Sequence, residues 1–205
     1  VEIPLFQMTS SYTMFANKGV KVDPVFLKKI EDKNGIVIFN HKPNYKDILN
    51  EEINYVMLKL LQGVVDKGTA GRLRQSKTKN KNSRNDNYKT LNNIGFDFTN
   101  EVAGKTGTTD NHSDGWFIGL VPDLVTGVWV GGEERSIHFR SITLGSGSNM
   151  ALPIWGEFMH NIYTDPDFKN LYNNKFEKPK KDISINLDCK IDNSNNSNIF
   201  DESFD

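Results

Sequence analysis

The stretch EVAGKTGTTDNHSDGWFIGLVPDLVTGVWVGG, residues 101–132, decides the fold. Three β-prone runs follow one another in it, at 101–109, 115–121 and 125–131. Pro122-Asp123 supplies the turn between the last two. The links are too short to hold a crossover helix, so the three strands are expected as antiparallel neighbours. Inside the first run Lys105 sits between Gly104 and Gly107, with threonines at 106, 108 and 109. A cation and hydroxyls where a buried strand is otherwise expected ask for a chemical reason.

Outward from this stretch the pattern changes period. Pro4 ahead of Leu5, Met8, Tyr12, Phe15 and Ala16 predicts a short amphipathic helix, with Gly19 just past its end. VFLKKIEDKNGIVIFN, residues 25–40, holds two runs joined around Asn34-Gly35, a hairpin signal. Asn50 is placed to cap a second helix, with Glu51 and Glu52 at its positive end. Ile53, Val56, Met57, Leu60, Leu61, Val64 and Val65 form its apolar stripe, and Gly68 is its stop. A last helix, roughly 150–163, places Met150, Ile154, Trp155, Phe158 and Met159 on one side. Helix, hairpin, helix, three-stranded meander, helix is an α+β order, an antiparallel sheet flanked by helices.

Composition bounds the function. The 205 residues suit one ordinary domain with tails, and the apolar share of 37% is low for local reasons. Residues 77–93 hold six Asn and five basic residues against one Asp, and read as a solvated loop. Residues 179–205 hold three Lys against six acidic residues and offer no core-forming stripe, so they read as a disordered polar tail. The body without that tail is close to neutral, and nothing in it points to nucleic acid. No window approaches the about 18 apolar residues of a membrane span, and no signal-peptide pattern is present. Cys189 stands alone in the tail, with no disulfide or metal set to join. The first residue is Val1, and a helical pattern follows almost at once, so the chain reads as processed or as a piece of something longer.

Two chemistries use a Gly-Lys-Thr run. A phosphate-binding loop needs a glycine five residues ahead of Gly104, where Thr99 stands, and a helix starting at Lys-Thr, which Gly107 and TDNHSDG interrupt. A carboxylate site fits better. On an edge strand Lys105 and Gly107 face one side while Thr106 and Thr108 face the other. Gly107 removes a side chain where another backbone or a ligand comes close. Lys105 supplies a fixed charge beside a reacting group. Thr108 offers a hydroxyl to a carboxylate and an N–H to an oxyanion, and one such N–H contributes on the order of 10²–10³ in rate.

Lys-Thr-Gly is one of the three signatures of penicillin-recognising serine enzymes. VAGKTGTT, DGWFIGLVPDLVTGVWVGG and MALPIWGEFM together resemble the last part of the transpeptidase domain of class A penicillin-binding proteins. MTSSYTMFANKGV, IEDKNGIVIF and EEINYVMLKLLQGVVDKGTAGRLR resemble the stretch that precedes that strand in the same enzymes. The likeness covers about residues 1–178, with 77–93 as an insertion. It implies acyl transfer: a serine attacks the penultimate D-Ala carbonyl of a peptidoglycan stem peptide, and the acyl group passes to an amine of a neighbouring strand. β-Lactam antibiotics imitate the D-Ala-D-Ala end. By matched position Lys105, Thr106, Gly107 and Thr108 bind substrate. Lys105 and Thr108 are the catalytic pair, with Lys105 steering proton transfer and Thr108 holding the terminal carboxylate and half of an oxyanion hole.

The resemblance places the S-x-x-K nucleophile and an S-x-N motif upstream of this strand and well apart. SKTK (76–79) and SRN (83–85) both fall in the polar loop, nearly touching, and SNN (194–196) follows the strand, so all three read as accidental. The nucleophile is therefore expected in an upstream half of the same domain, and this chain is expected to be inactive and marginally folded alone. No cofactor or metal is expected. The whole enzyme is expected on the extracytoplasmic face of the bacterial membrane, anchored by an upstream segment and joined to a glycosyltransferase domain. The alternative is a non-catalytic stand-alone protein of this fold that binds wall peptide or a protein partner. Trp116 and Trp129 read as core or sheet-face residues, and His112 and His138 as surface histidines.

Overall fold

The computed structural model describes residues 3–76 and 95–187. The loop at 77–93, with SRN, and most of the tail, with Cys189 and SNN, lie outside the described residues. Helix α1 runs over Leu5–Ala16. Its end is set by Gly19, whose φ of +87° and whose approach to the Leu49 carbonyl leave no room for a Cβ. Four short strands follow, β1 (Val20–Val22), β2 (Lys29–Glu31), β3 (Val37–Asn40) and β4 (Tyr45–Asp47). The expected hairpin is β2–β3, closed by a turn in which Asp32 Oδ1 accepts from the N–H groups of Asn34 and Ile36 and Gly35 takes φ +82°. Nested outside it, β1 pairs antiparallel with β4, a pairing that three-residue strands without alternation do not announce.

Helix α2 spans Glu51–Asp66, and Asn50 Oδ1 accepts the Ile53 N–H at 2.8 Å, the cap expected from sequence. Its buried face is Asn54, Tyr55, Leu58, Leu61, Gln62 and Val65, not the whole expected stripe. Ile53, Met57 and Leu60 are exposed, because the sheet covers α2 on one side only. After a 3-10 turn at Gly71–Arg74 and the residues from 95 comes the sheet. Its strands are β5 (Ala103–Thr108), β6 (Asp114–Val121) and β7 (Leu124–Gly131), antiparallel in that order, as the meander predicted. A short helix α3 (Ile142–Gly145) leads into α4 (Gly147–Thr164).

Register divides the sheet into two faces. Thr106↔Phe117↔Val128 and Thr108↔Gly115↔Val130 lie on one, Lys105↔Ile118↔Gly127 and Gly107↔Trp116↔Trp129 on the other. Helix α4 covers the first face. Trp155 stacks edge-on to Phe117 with centroids 5.2 Å apart and lies against Gly119, where any Cβ would enter its ring. With Val65, Leu73, Phe98, Val102 and Met159 these make the main core. Helix α1 covers the second face, with Leu5 and Thr9 against Gly127 and Tyr12, Phe15 and Ala16 beside Leu58, Leu61 and Leu120. The last helix begins three residues before the expected position, and Ile154 and Phe158 prove exposed, since α4 meets only the sheet. Pro153 inside it is buried and leaves the Asn149 carbonyl without its helical N–H. In the tail, Ser184 donates from N–H and Oγ to Glu52 Oε1 on α2, which holds that carboxyl below its usual range.

Candidate functional site

Among the described residues strand β5 is the outer strand of its sheet, paired only with β6, so Lys105 to Thr108 lie along an edge as the sequence anticipates. Lys105 is exposed and its Nζ donates to the Thr106 carbonyl at 2.7 Å. Two further ammonium protons remain for a ligand by donor capacity. Thr106 Oγ1 lies 2.6 Å from Thr69 Oγ1, in the turn after α2, so that turn is tied to the middle of the motif. Thr108 Oγ1 accepts the Gly147 N–H at 3.0 Å, the first residue of α4. The hydroxyl oxygen has taken that donor, and its own proton is free to be given. Gly107 makes room for its cross-strand neighbour: a Cβ there would stand 3.1 Å from Trp116 Cβ, tight enough to crowd the strand.

Gly107 and Trp116 begin a row that ends at Trp129, with the indole centroids 6.4 Å apart. The two rings form a sheet-face pair at one wall of a cavity of about 370 Å³ that Thr109, Asp114 and Arg135 also line. The polar end of that pair comes from Asp114, which the sequence reading passed over. Its Oδ1 accepts from Trp129 Nε1 at 2.9 Å, and its Oδ2 from Thr109 Oγ1 and Ser113 Oγ at 3.0 Å each. Burial raises the Asp114 pKa, but these donors and the charge of Arg135 outweigh it and hold the carboxyl below its usual range. The signal available in sequence was the turn composition TTDNHSDG, where an Asp closes a hairpin by accepting from its own turn.

That turn is strained. Asn111 and His112 both adopt φ +58°, a left-handed backbone that non-glycine residues take at a cost. His112 is not a free surface histidine: it is half-buried against Gly145, and its Nδ1 is buried without a partner among the described residues. His138 is exposed, with Nδ1 3.0 Å from the Phe139 carbonyl. Ser76 of SKTK is exposed and outside any helix, and the lysine of that match lies beyond the described residues.

Behind the edge, on the α4 side, lies a second polar group. Arg72 Nη2 donates to Asn149 Oδ1, and Asn149 Nδ2 donates to the Thr143 carbonyl at 2.7 Å. Arg72 is half-buried, and desolvation lowers its pKa. Among the described residues no helix is long and apolar enough to cross a membrane.

An edge strand carrying Lys-Thr-Gly, backed by a C-terminal helix and faced by two others, is the α+β architecture of penicillin-binding transpeptidase domains. Residues 1–132 match the penicillin binding protein transpeptidase domain, and the chain belongs to that family. It is 36% identical over 191 residues to penicillin-binding protein 1A of Aquifex aeolicus (strain VF5), covering 93% of this chain and 22% of that protein. Against penicillin-binding protein 1A of Rickettsia prowazekii the identity is 29% over 188 residues, covering 80% of this chain and 21% of that protein. The chain thus spans about a fifth of the length of these relatives. Among solved structures, penicillin-binding protein 1A from Haemophilus influenzae superposes with a TM-score of 0.61 at 18% identity, over 89% of this chain and 28% of that one. The D,D-transpeptidase domain of a peptidoglycan glycosyltransferase from Eggerthella lenta gives 0.52 at 21%, over 77% and 31%. At such identities these likenesses establish the fold.

Proposed function

We propose that this chain, from residue 1 to about 178, is the C-terminal portion of a serine D,D-transpeptidase domain and forms one wall of its active site. The observation that carries the reading is the edge of β5, with an exposed Lys105 ammonium and a Thr108 hydroxyl whose proton is free. The ligand is a stem peptide ending in D-Ala-D-Ala, laid against β5 with its carboxylate toward Thr108 and Thr106. A serine from an upstream half of the same domain attacks the penultimate carbonyl. The Ser Oγ–C bond forms, the amide C–N bond breaks, and the leaving D-Ala takes a proton whose passage the Lys105 charge favours. The Thr108 N–H contributes to the oxyanion hole, and Gly107 lets the peptide approach. An acceptor amine then displaces the serine and completes the cross-link. A β-lactam follows the first half of this path and stays on the serine. Exposed Ile53, Met57 and Leu60 on α2 support an upstream segment seated there. The whole enzyme works outside the cytoplasmic membrane, held by an upstream anchor.

The test uses the complete reading frame that contains this chain, labelled with a fluorescent penicillin. Lys105→Ala and Thr108→Val should each slow labelling by on the order of 10²-fold, while far-ultraviolet circular dichroism is unchanged. Residues 1–205 alone should take up no label. Unimpaired labelling of both variants, or a covalent adduct on Ser76, would overturn the reading.

A further inference from the structure

We infer that Arg72 is a positioning residue for the carboxylate subsite, acting through Asn149 and the first turn of α4 on Thr108; this rests on the reading of Lys105–Thr108 proposed above. The connection is continuous. Arg72 Nη2 donates to Asn149 Oδ1, the Asn149 amide donates to the Thr143 carbonyl at 2.7 Å, and the Asn149 N–H bonds the Ser146 carbonyl at 2.9 Å. Asn149 therefore joins Arg72 to two points of the 143–149 segment, Thr143 and Ser146. Within that segment Gly147 gives its N–H to Thr108 Oγ1. Gly147 fits so closely beneath the Gly107 carbonyl and the Trp116 backbone that a Cβ would overlap them, so movement of the segment is transmitted to β5 directly.

Holding a cation here carries an electrostatic cost. The guanidinium is half-buried, which disfavours its charge, and it sits at the positive end of an 18-residue helix, where the macrodipole also opposes it. What the arrangement does provide is positive potential from two sources behind the face that bears Thr106 and Thr108. It also fixes the polarity of the Thr108 hydroxyl: with its oxygen accepting from Gly147, the remaining proton points to an anion donor role. The planar fork of arginine, seated on an amide that is itself held on its other side, suits a positional task that a lysine ammonium performs less well.

The experiment compares acylation of the complete reading frame by benzylpenicillin and by its uncharged methyl ester. Wild type should prefer the acid, and Thr108→Val should lose that preference. Arg72→Met should slow the acid about tenfold, as a small displacement of a supporting group does, and leave the ester rate nearly unchanged. Asn149→Ala should match it. The double variant should be no worse than either single one, because the two act in one chain of contacts. Should Arg72→Met not fold, Arg72→Lys and Asn149→Ala carry the same comparison, with Arg72→Lys intermediate. Equal slowing of acid and ester, or no slowing of either, overturns the role of Arg72 while leaving that of Thr108 standing. A wild type that does not discriminate acid from ester, or is not acylated at all, removes the proposed function and this inference together, a pattern distinct from the first.

Discussion

Tyr163, near the end of α4, shows how a single side chain records its surroundings. Its hydroxyl accepts from Asn100 Nδ2 at 2.8 Å, and its ring meets Phe98 and Tyr172 edge-on. Burial dominates and pushes its pKa up to about 12, with the Asn100 hydrogen bond pulling the other way. The folded state thus holds the proton more tightly than the unfolded chain, whose tyrosines titrate near the reference value of about 10. Its contribution to stability is complete below that value and is lost as pH rises through about 12. Absorbance at 295 nm should show a late phenolate step that Tyr163→Phe removes, and a Tyr163→Phe curve identical to wild type would contradict the burial. Nothing in the sequence marked Tyr163, since an aromatic near a helix end is buried or not according to what the sheet brings beside it. Lys105 and Thr108 differ: the carboxylate reading of the Lys-Thr-Gly run takes them to lie on an edge strand, and β5 is the outer strand of its sheet. Asp114 was missed because the partner that joins it to the indole pair, Trp129, comes from another strand, while Thr109 and Ser113 belong to its own turn.

At the scale of elements, local chemistry and burial give separable energies. The Asn50 cap satisfies one N–H at the start of α2, and Asn50→Ala should cost about 1 kcal/mol. Trp155 is fully buried between Phe117 and Gly119, and Trp155→Ala should cost about 3–5 kcal/mol. Urea unfolding followed by circular dichroism measures both, and equal losses would mean α4 is not seated on the sheet as described. The ends of α1 and α2 were legible in Pro4, Gly19 and Asn50 because a cap is a local hydrogen bond or a local backbone state. The faces were legible only in part. Periodicity put Ile53, Met57 and Leu60 in the same stripe as Leu61 and Val65, yet the sheet touches one half of that stripe. Ile154 and Phe158 on α4 repeat the lesson, since periodicity states which residues share a side and leaves open how wide a side is covered.

The whole molecule presents apolar residues that the described fold leaves in water, and α2 gives the cleanest test. Leu60 is 61% exposed, so Leu60→Lys should alter the stability of residues 1–205 alone by no more than about 0.5 kcal/mol. In the complete reading frame the same change should lower the melting temperature by several degrees, because there the leucine is proposed to be covered. Matching small effects in both settings would remove the upstream half from that face. The chain's span of about a fifth of its relatives' length makes this comparison the natural one.

The sequence by itself determined the α+β order, the antiparallel meander, the ends of α1 and α2 and the strand that carries Lys105–Thr108. Each of these depends on neighbours within a few residues or on a two- or 3.6-residue period. The tertiary structure alone decided that Thr69 meets Thr106, that Gly147 gives its N–H to Thr108, and that Arg72 reaches Asn149 across 77 positions. Those pairs arise where α2, β5 and α4 converge in space, and no local periodicity encodes a meeting between elements so far apart in the chain.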